Sequence, residues 1–143
     1  MILIDTNILV YALGKPHPLR EPAQKLLDVA SRGGVEARTI DVVIVELLHV
    51  FSRRRPRSAT GAAARDCIEL LAPLVDVTSA DVALGVEIFE RHEALESADA
   101  LIAAVALNHE ADALVTADGS FAAVAGLRVV DPRSHELETL LAR

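Results

Sequence analysis

Cysteine is almost missing from this 143-residue chain. Cys67 stands alone, so no internal disulfide can form, and the composition suits a reducing cytoplasm. Within a helical pattern, Cys67 reads as a buried inert thiol rather than a nucleophile. Aromatics are scarce too, with one Tyr, three Phe and no Trp, which argues against a stacking platform for single-stranded bases. No apolar run reaches the roughly 18 residues of a membrane span. The most hydrophobic stretch, Ile40 to Phe51, is interrupted by Asp41, Glu46 and His49. The first strand is preceded by no basic segment, so no signal peptide is expected. Positive charge is in deficit: 14 Lys and Arg face 21 Asp and Glu, a net −7 that argues against broad non-specific binding to nucleic acid. There is no glycine-rich phosphate loop, no nucleophile-elbow serine, no internal repeat and no low-complexity linker.

What is present is apolar residue, 52% of the chain, enough for one sizeable core in one domain over residues 1–143. Ile2-Leu3-Ile4 reads as a buried strand that stops at Asp5, and a helix capped by Asp5 or Thr6 follows. After the Gly14-Lys15-Pro16-His17-Pro18 loop, Ala23, Leu26, Leu27 and Ala30 define a second helix that ends at Gly33-Gly34. Val35 to Ile40 predicts a second strand, and Asp41 caps a third helix running to Phe51. Ser58 or Thr60 opens a fourth, which ends near Leu71. Leu74 to Val77 predicts a third strand. Ser79 begins a fifth helix, reaching roughly His92, and Ser97 caps a sixth. Ala113 to Thr116 and Leu127 to Val130 complete five strands, with a short turn from Gly119 to Ala125 between them. Short strands that are apolar on both faces and alternate with helices predict an α/β sandwich around a parallel sheet.

Four acids interrupt this pattern informatively. Asp5 and Asp118 each follow a strand, and Asp99 lies in the first turn of the sixth helix. Glu46 sits inside Val42-Val43-Ile44-Val45-Glu46-Leu47-Leu48, where an unpaired buried charge is costly. Each has an ordinary explanation as a cap, turn former or solvated residue. Jointly they point elsewhere. Right-handed crossovers put the carboxyl ends of all parallel strands on one edge, where Asp5 and Asp118 meet and the helix start bearing Asp99 can point. Carboxylates gathered there need a cation, and all-oxygen donors select Mg2+ or Mn2+.

The chain resembles PIN-domain ribonucleases, specifically the VapC-type toxins of bacterial toxin–antitoxin pairs. The resemblance spans essentially the whole chain. It is carried by Ile4-Asp5-Thr6-Asn7, by Glu46, by Asp99-Ala100-Leu101-Ile102-Ala103-Ala104 and by Val115-Thr116-Ala117-Asp118. It implies a PIN-like three-layer sandwich, with a parallel sheet of about five strands, and metal-dependent hydrolysis of RNA. Asp5 and Asp99 are then the central metal ligands, Asp118 binds directly or through water, and Glu46 holds a second ion or orients water. Thr6, Asn7 and Thr116 fix these carboxylates from behind. Ser120 takes a position where relatives often carry an acid, Asn or His, a departure that weakens a second metal site.

Other readings compete. A haloacid-dehalogenase-like phosphatase also begins with strand-then-Asp, but it needs a second Asp where Asn7 stands. Glu46 and His49 have di-iron Glu-x-x-His spacing, yet no second copy exists. His17, His92, His109 and His135 form no cluster in sequence. A PIN-like binding module would use the acidic cleft only to receive a basic peptide. Arg53, Arg54, Arg55 and Arg57 read equally as a solvated turn or as a phosphate contact that steers RNA. The resemblance further implies a cognate antitoxin, whose basic or amide side chain would reach Asp5 and Asp99. The high apolar content predicts a homodimer through helix faces.

Overall fold

The computed structural model describes all 143 residues. Strand β1 (Ile2–Ile4) is wholly buried and lies at the middle of a parallel sheet ordered β2-β1-β3-β4. Strand β3 (Ala113–Val115) pairs with it, Ile2 opposite Ala113 and Ile4 opposite Val115. Strands β2 (Ala37–Arg38) and β4 (Val129–Val130) form the edges. Apolar residues on both faces of the two central strands leave neither face fit for water. Helices α1 (Thr6–Leu13), α2 (Arg20–Ser31), α3 (Asp41–Ser52), α4 (Arg57–Leu70), α5 (Ser79–Arg91) and α6 (Ser97–Asn108) cover them.

The sheet has four strands, not five. Residues 74–77 touch it only through one parallel bridge, Val75 to Ile40, with Val75 N–H donating to Thr39 O at 2.9 Å. The reason is local. Ile40, not Asp41, holds the position just before α3, without a side-chain cap bond, so the chain leaves the sheet there, and only Val75 of the sequence Leu74-Val75-Asp76-Val77 is buried. Helix starts also shift. Thr78, not Ser79, caps α5 through a capping box with Asp81, and Glu96, not Ser97, caps α6 through one with Asp99. Helix α4 begins at Arg57, behind Pro56. A seventh helix, α7 (His135–Leu141), lies beyond the last element legible in the sequence; Ser134 Oγ caps it, and Leu137 and Leu140 anchor it in the core.

Strand order decides where a site can form. From β1 the chain crosses to β2 on one side, and β3 then returns to the other side of β1. The direction of winding therefore reverses between β1 and β3. Their carboxyl ends open into a crevice at that reversal, the usual place for a ligand in an open α/β sheet.

Candidate active site

Asp5 stands in the crevice because β1 ends there. It is the cap of α1: Oδ1 accepts Thr6 N–H at 2.8 Å. Its Oδ2 accepts Thr116 Oγ1–H at 2.7 Å and Asn7 Nδ2–H at 3.1 Å. Asn7 also donates to Thr116 Oγ1 at 3.0 Å and accepts Ala117 N–H through Oδ1 at 3.2 Å. Thr116 Oγ1 in turn accepts Asp118 N–H at 3.0 Å. One polar mesh thus stitches the end of β1 to the end of β3 and holds the Asp5 carboxylate in place. Asp118 caps the short 3-10 turn Gly119–Ala123, its Oδ1 accepting Ser120 N–H at 2.9 Å. Ser120 takes part through its backbone.

Asp99 arrives from α6. Its Oδ2 accepts Glu96 N–H at 3.1 Å, which leaves its other oxygen for a ligand. Glu46 arrives from α3 on the stripe Val42, Glu46, Val50, between the buried face of Val43, Ile44 and Leu47 and exposed Val45. This explains an acid inside an apolar helix: Glu46 and Val50 face a cavity. That cavity, about 490 Å3, is lined by Asp5, Glu46, Asp99 and Asp118 together, with Thr6 and Asn7 between them.

The charges there repel. Burial pushes Asp5 up to about 6, against the Thr116 and Thr6 hydrogen bonds, and Asp99 and Asp118 add to the rise. Burial pushes Glu46 to about 7, aided by Asp5 and Asp99. Burial, with Asp118 and Glu96, also raises Asp99 despite its bond from the Glu96 backbone. The Thr6 hydroxyl faces Glu46 and eases its charge, but at a geometry short of a hydrogen bond, so Thr6 Oγ1 is a buried polar atom without a partner. An all-oxygen donor set under mutual repulsion, beside an orphaned hydroxyl, fits a hard divalent cation. As the side chains lie, no three of them form a ready coordination sphere, so binding requires some of them to turn.

The arginine run divides. Arg54 lines the cavity. Arg55 lies over the Phe51 ring at 4.2 Å and donates to Leu13 O at the end of α1. Arg57 opens α4 beside a separate hollow lined by Leu48, His49, Ser52 and Thr60, and Arg53 is exposed. The four do not make one patch. Sequence reasoning passed over the rest of the cavity wall: Tyr11, Lys15, Pro16 and His17. Tyr11 and His17 are far apart for helix periodicity, and only the loop after α1 brings them together. Outside the site, the α5–α6 pair leaves Val82, Val86 and Phe89 half exposed over a groove floored by Gly85 and Leu101. No helix is long and apolar enough to cross a membrane.

Known proteins share this frame. A PIN domain family model matches residues 2–127. Ribonuclease VapC7 of Mycobacterium tuberculosis is 39% identical over 99% of this chain and 98% of its own length. Ribonuclease VapC13 of the same organism is 30% identical over 90% of this chain and 98% of its own. Among solved structures, VapBC2 from Rickettsia felis bound to a promoter DNA fragment superposes with a TM-score of 0.74. It is 23% identical, over 92% of this chain and 98% of that one. FitAcB from Neisseria gonorrhoeae gives 0.70 at 24% identity, with the same coverage. These last two speak for the fold. Family model and full-length relatives agree with the switch-point acids on one conclusion: the chain belongs to the PIN-domain family, and within it to the VapC proteins.

Proposed function

We propose that the chain, as one domain over residues 1–143, is a Mg2+- or Mn2+-dependent ribonuclease acting in the cytoplasm as the toxin of a toxin–antitoxin pair. The observation that carries this is the single cavity at the strand-order reversal lined by Asp5, Glu46, Asp99 and Asp118. VapC relatives that bear the ribonuclease name support it over nearly the full chain. Asp5, Asp99 and Asp118, with Glu46, would hold the ion. When bound, it neutralises charge on the phosphodiester and acidifies water. The chain's own residues do the positioning. Thr6 N–H, Thr116 and Asn7 fix the Asp5 carboxylate, and Asp118 is fixed by the turn that it caps. Glu46, from α3, would orient the attacking water or help hold a second ion.

Incubating the protein with single-stranded or looped RNA tests the reading. Cleavage should need Mg2+ or Mn2+, stop in EDTA and vanish in Asp5→Asn. Cleavage that survives either change overturns it, and metal-free binding of a basic peptide without any cleavage would favour the binding module. The toxin role predicts growth arrest on expression, relieved by a small antitoxin that places a basic or amide side chain against Asp5 and Asp99. For the homodimer, the half-exposed Val82, Val86 and Phe89 face of α5 is the surface we assign. Phe89→Asp should then give a monomer by light scattering.

A further inference from the structure

Along α1 and α3 and just beyond them, the cavity wall runs from carboxylates to cations, Asp5 to Lys15 and Glu46 to Arg54, which gives it two ends of opposite character. At one are the carboxylates. At the other, Lys15 and Arg54 are exposed cations, and Tyr11 and His17 are stacked with ring centroids 4.4 Å apart and planes 25° from parallel. This is the chain's only tyrosine, in a protein with three phenylalanines and no tryptophan. Two of those phenylalanines, Phe51 and Phe121, are buried in the core. Scarcity overall has not kept aromatic surface away from the site.

The stack is held, not fortuitous. Tyr11 sits on α1, six residues from Asp5. Beyond it, the carbonyls at the end of α1 are taken up from outside: Gln24 Nε2 donates to Ala12 O at 2.9 Å, and Arg55 donates to Leu13 O. Pro16 and Pro18 flank His17 and restrict the loop. His17 Nδ1 accepts Leu19 N–H at 3.1 Å, which sets the ring's orientation and leaves the proton on Nε2. The pair therefore presents an aromatic surface that need not be ordered on binding, and His17 is its exposed member.

We propose that this end of the cavity is a nucleotide subsite. A base beside the scissile phosphodiester continues the pile on the open face of His17, while Lys15 and Arg54 take an adjacent phosphate. The subsite rests on reading the carboxylate end as the RNA-cleaving centre. It makes Tyr11 and His17 determinants of which residue flanks the cut. Stacking tolerates any base but favours large ones, so purine is the better occupant. The cations supply position without sequence.

The test uses the full chain carrying Asp5→Asn, with Mg2+, and an oligoribonucleotide about six residues long, within the about 4–16 residues of single-strand sites. Tyr11 is the reporter, because no tryptophan obscures its emission. Purine oligomers should quench it, and an oligomer abasic at the subsite should not. His17→Asn keeps an acceptor for Leu19 N–H but loses the ring. It should weaken purine binding by about 5-fold or more, and His17→Phe should recover most of that loss. Arg54→Gln should lower the salt slope of binding by about one, while Arg91→Gln, on α5, should not. Unchanged emission, equal binding of purine and abasic oligomers, or a His17→Phe protein no better than His17→Asn overturns the subsite. So does quenching by a basic peptide where RNA gives none. Cleavage by the unmodified chain is scored separately. If it fails, the reading of the carboxylates falls, and base-dependent quenching still decides the subsite by itself.

Discussion

Asp5 and Asp81 are both buried aspartates, and they are driven in opposite directions. Asp81, on α5, caps its own helix through Thr78 N–H at 2.9 Å. It also accepts from Asn108 Nδ2 at 2.9 Å and His109 Nε2 at 3.0 Å, both at the far end of α6. Burial works to raise its pKa, but the bonds from Thr78, Asn108 and His109 prevail and hold it near 2. Asp5 also accepts three bonds, yet burial carries it up to about 6, and Asp99 and Asp118 add to the rise. Burial alone does not mark a functional carboxylate. What separates the two is the balance: the bonds to Asp81 outweigh its burial and close a structural latch, whereas those to Asp5 do not, and neighbouring acids add to the rise.

Replacing each residue should break this contrast in a different observable. Asp5→Asn should lower RNA cleavage by roughly 10^3-fold or more, as losing a central member of a catalytic unit does. Its metal-free melting temperature should hold or rise, because repulsion is relieved. A melting temperature that falls would make Asp5 a structural residue like Asp81. Asp81→Ala should do the reverse. Removing one partner of a buried charged network costs about 3 kcal/mol, which lowers Tm by about 10 °C. Cleavage at 25 °C should persist.

A pH titration sharpens the comparison further. The folded pKa of Asp81 lies below its ordinary value of 3.8, so its contribution is complete above about 4 and is lost as pH falls through about 2. That contribution is about 2 kcal/mol. Chemical denaturation of the unmodified chain should show it as a decline between pH 4 and pH 2 that is missing from Asp81→Ala. The smallest effect belongs to the latch's outer partner. Asn108→Ala removes one bond to a carboxylate that keeps its others, and should cost about 1–2 kcal/mol by denaturant midpoint, with no change in cleavage.

The two aspartates also show what a sequence discloses. Asp5, Glu46, Asp99 and Asp118 are legible because each is polar where its element should be apolar or ending, and strand topology supplies the place where they meet. Asp81 looks like any first-turn acid, since its partners lie 27 and 28 residues away on another helix. His109 reads for the same reason as a helix-end histidine outside any cluster. Tyr11 and His17 depend on the path of a proline-bounded loop, which periodicity does not describe. The missing strand at 74–77 has the composition of one. What it lacks is a partner edge, because β2 has already turned into α3.

The sheet's margins carry a consequence for how copies of the chain can meet. Both edge strands are two residues long, and the β2 side is closed off by the single Val75 bridge. An incoming strand would find one or two bonding pairs before the edge ran out, too few to offset the entropy of ordering it. Growth by sheet extension, and the fibrous assembly that begins that way, is thereby blocked at both margins. Association is left to the helical surfaces.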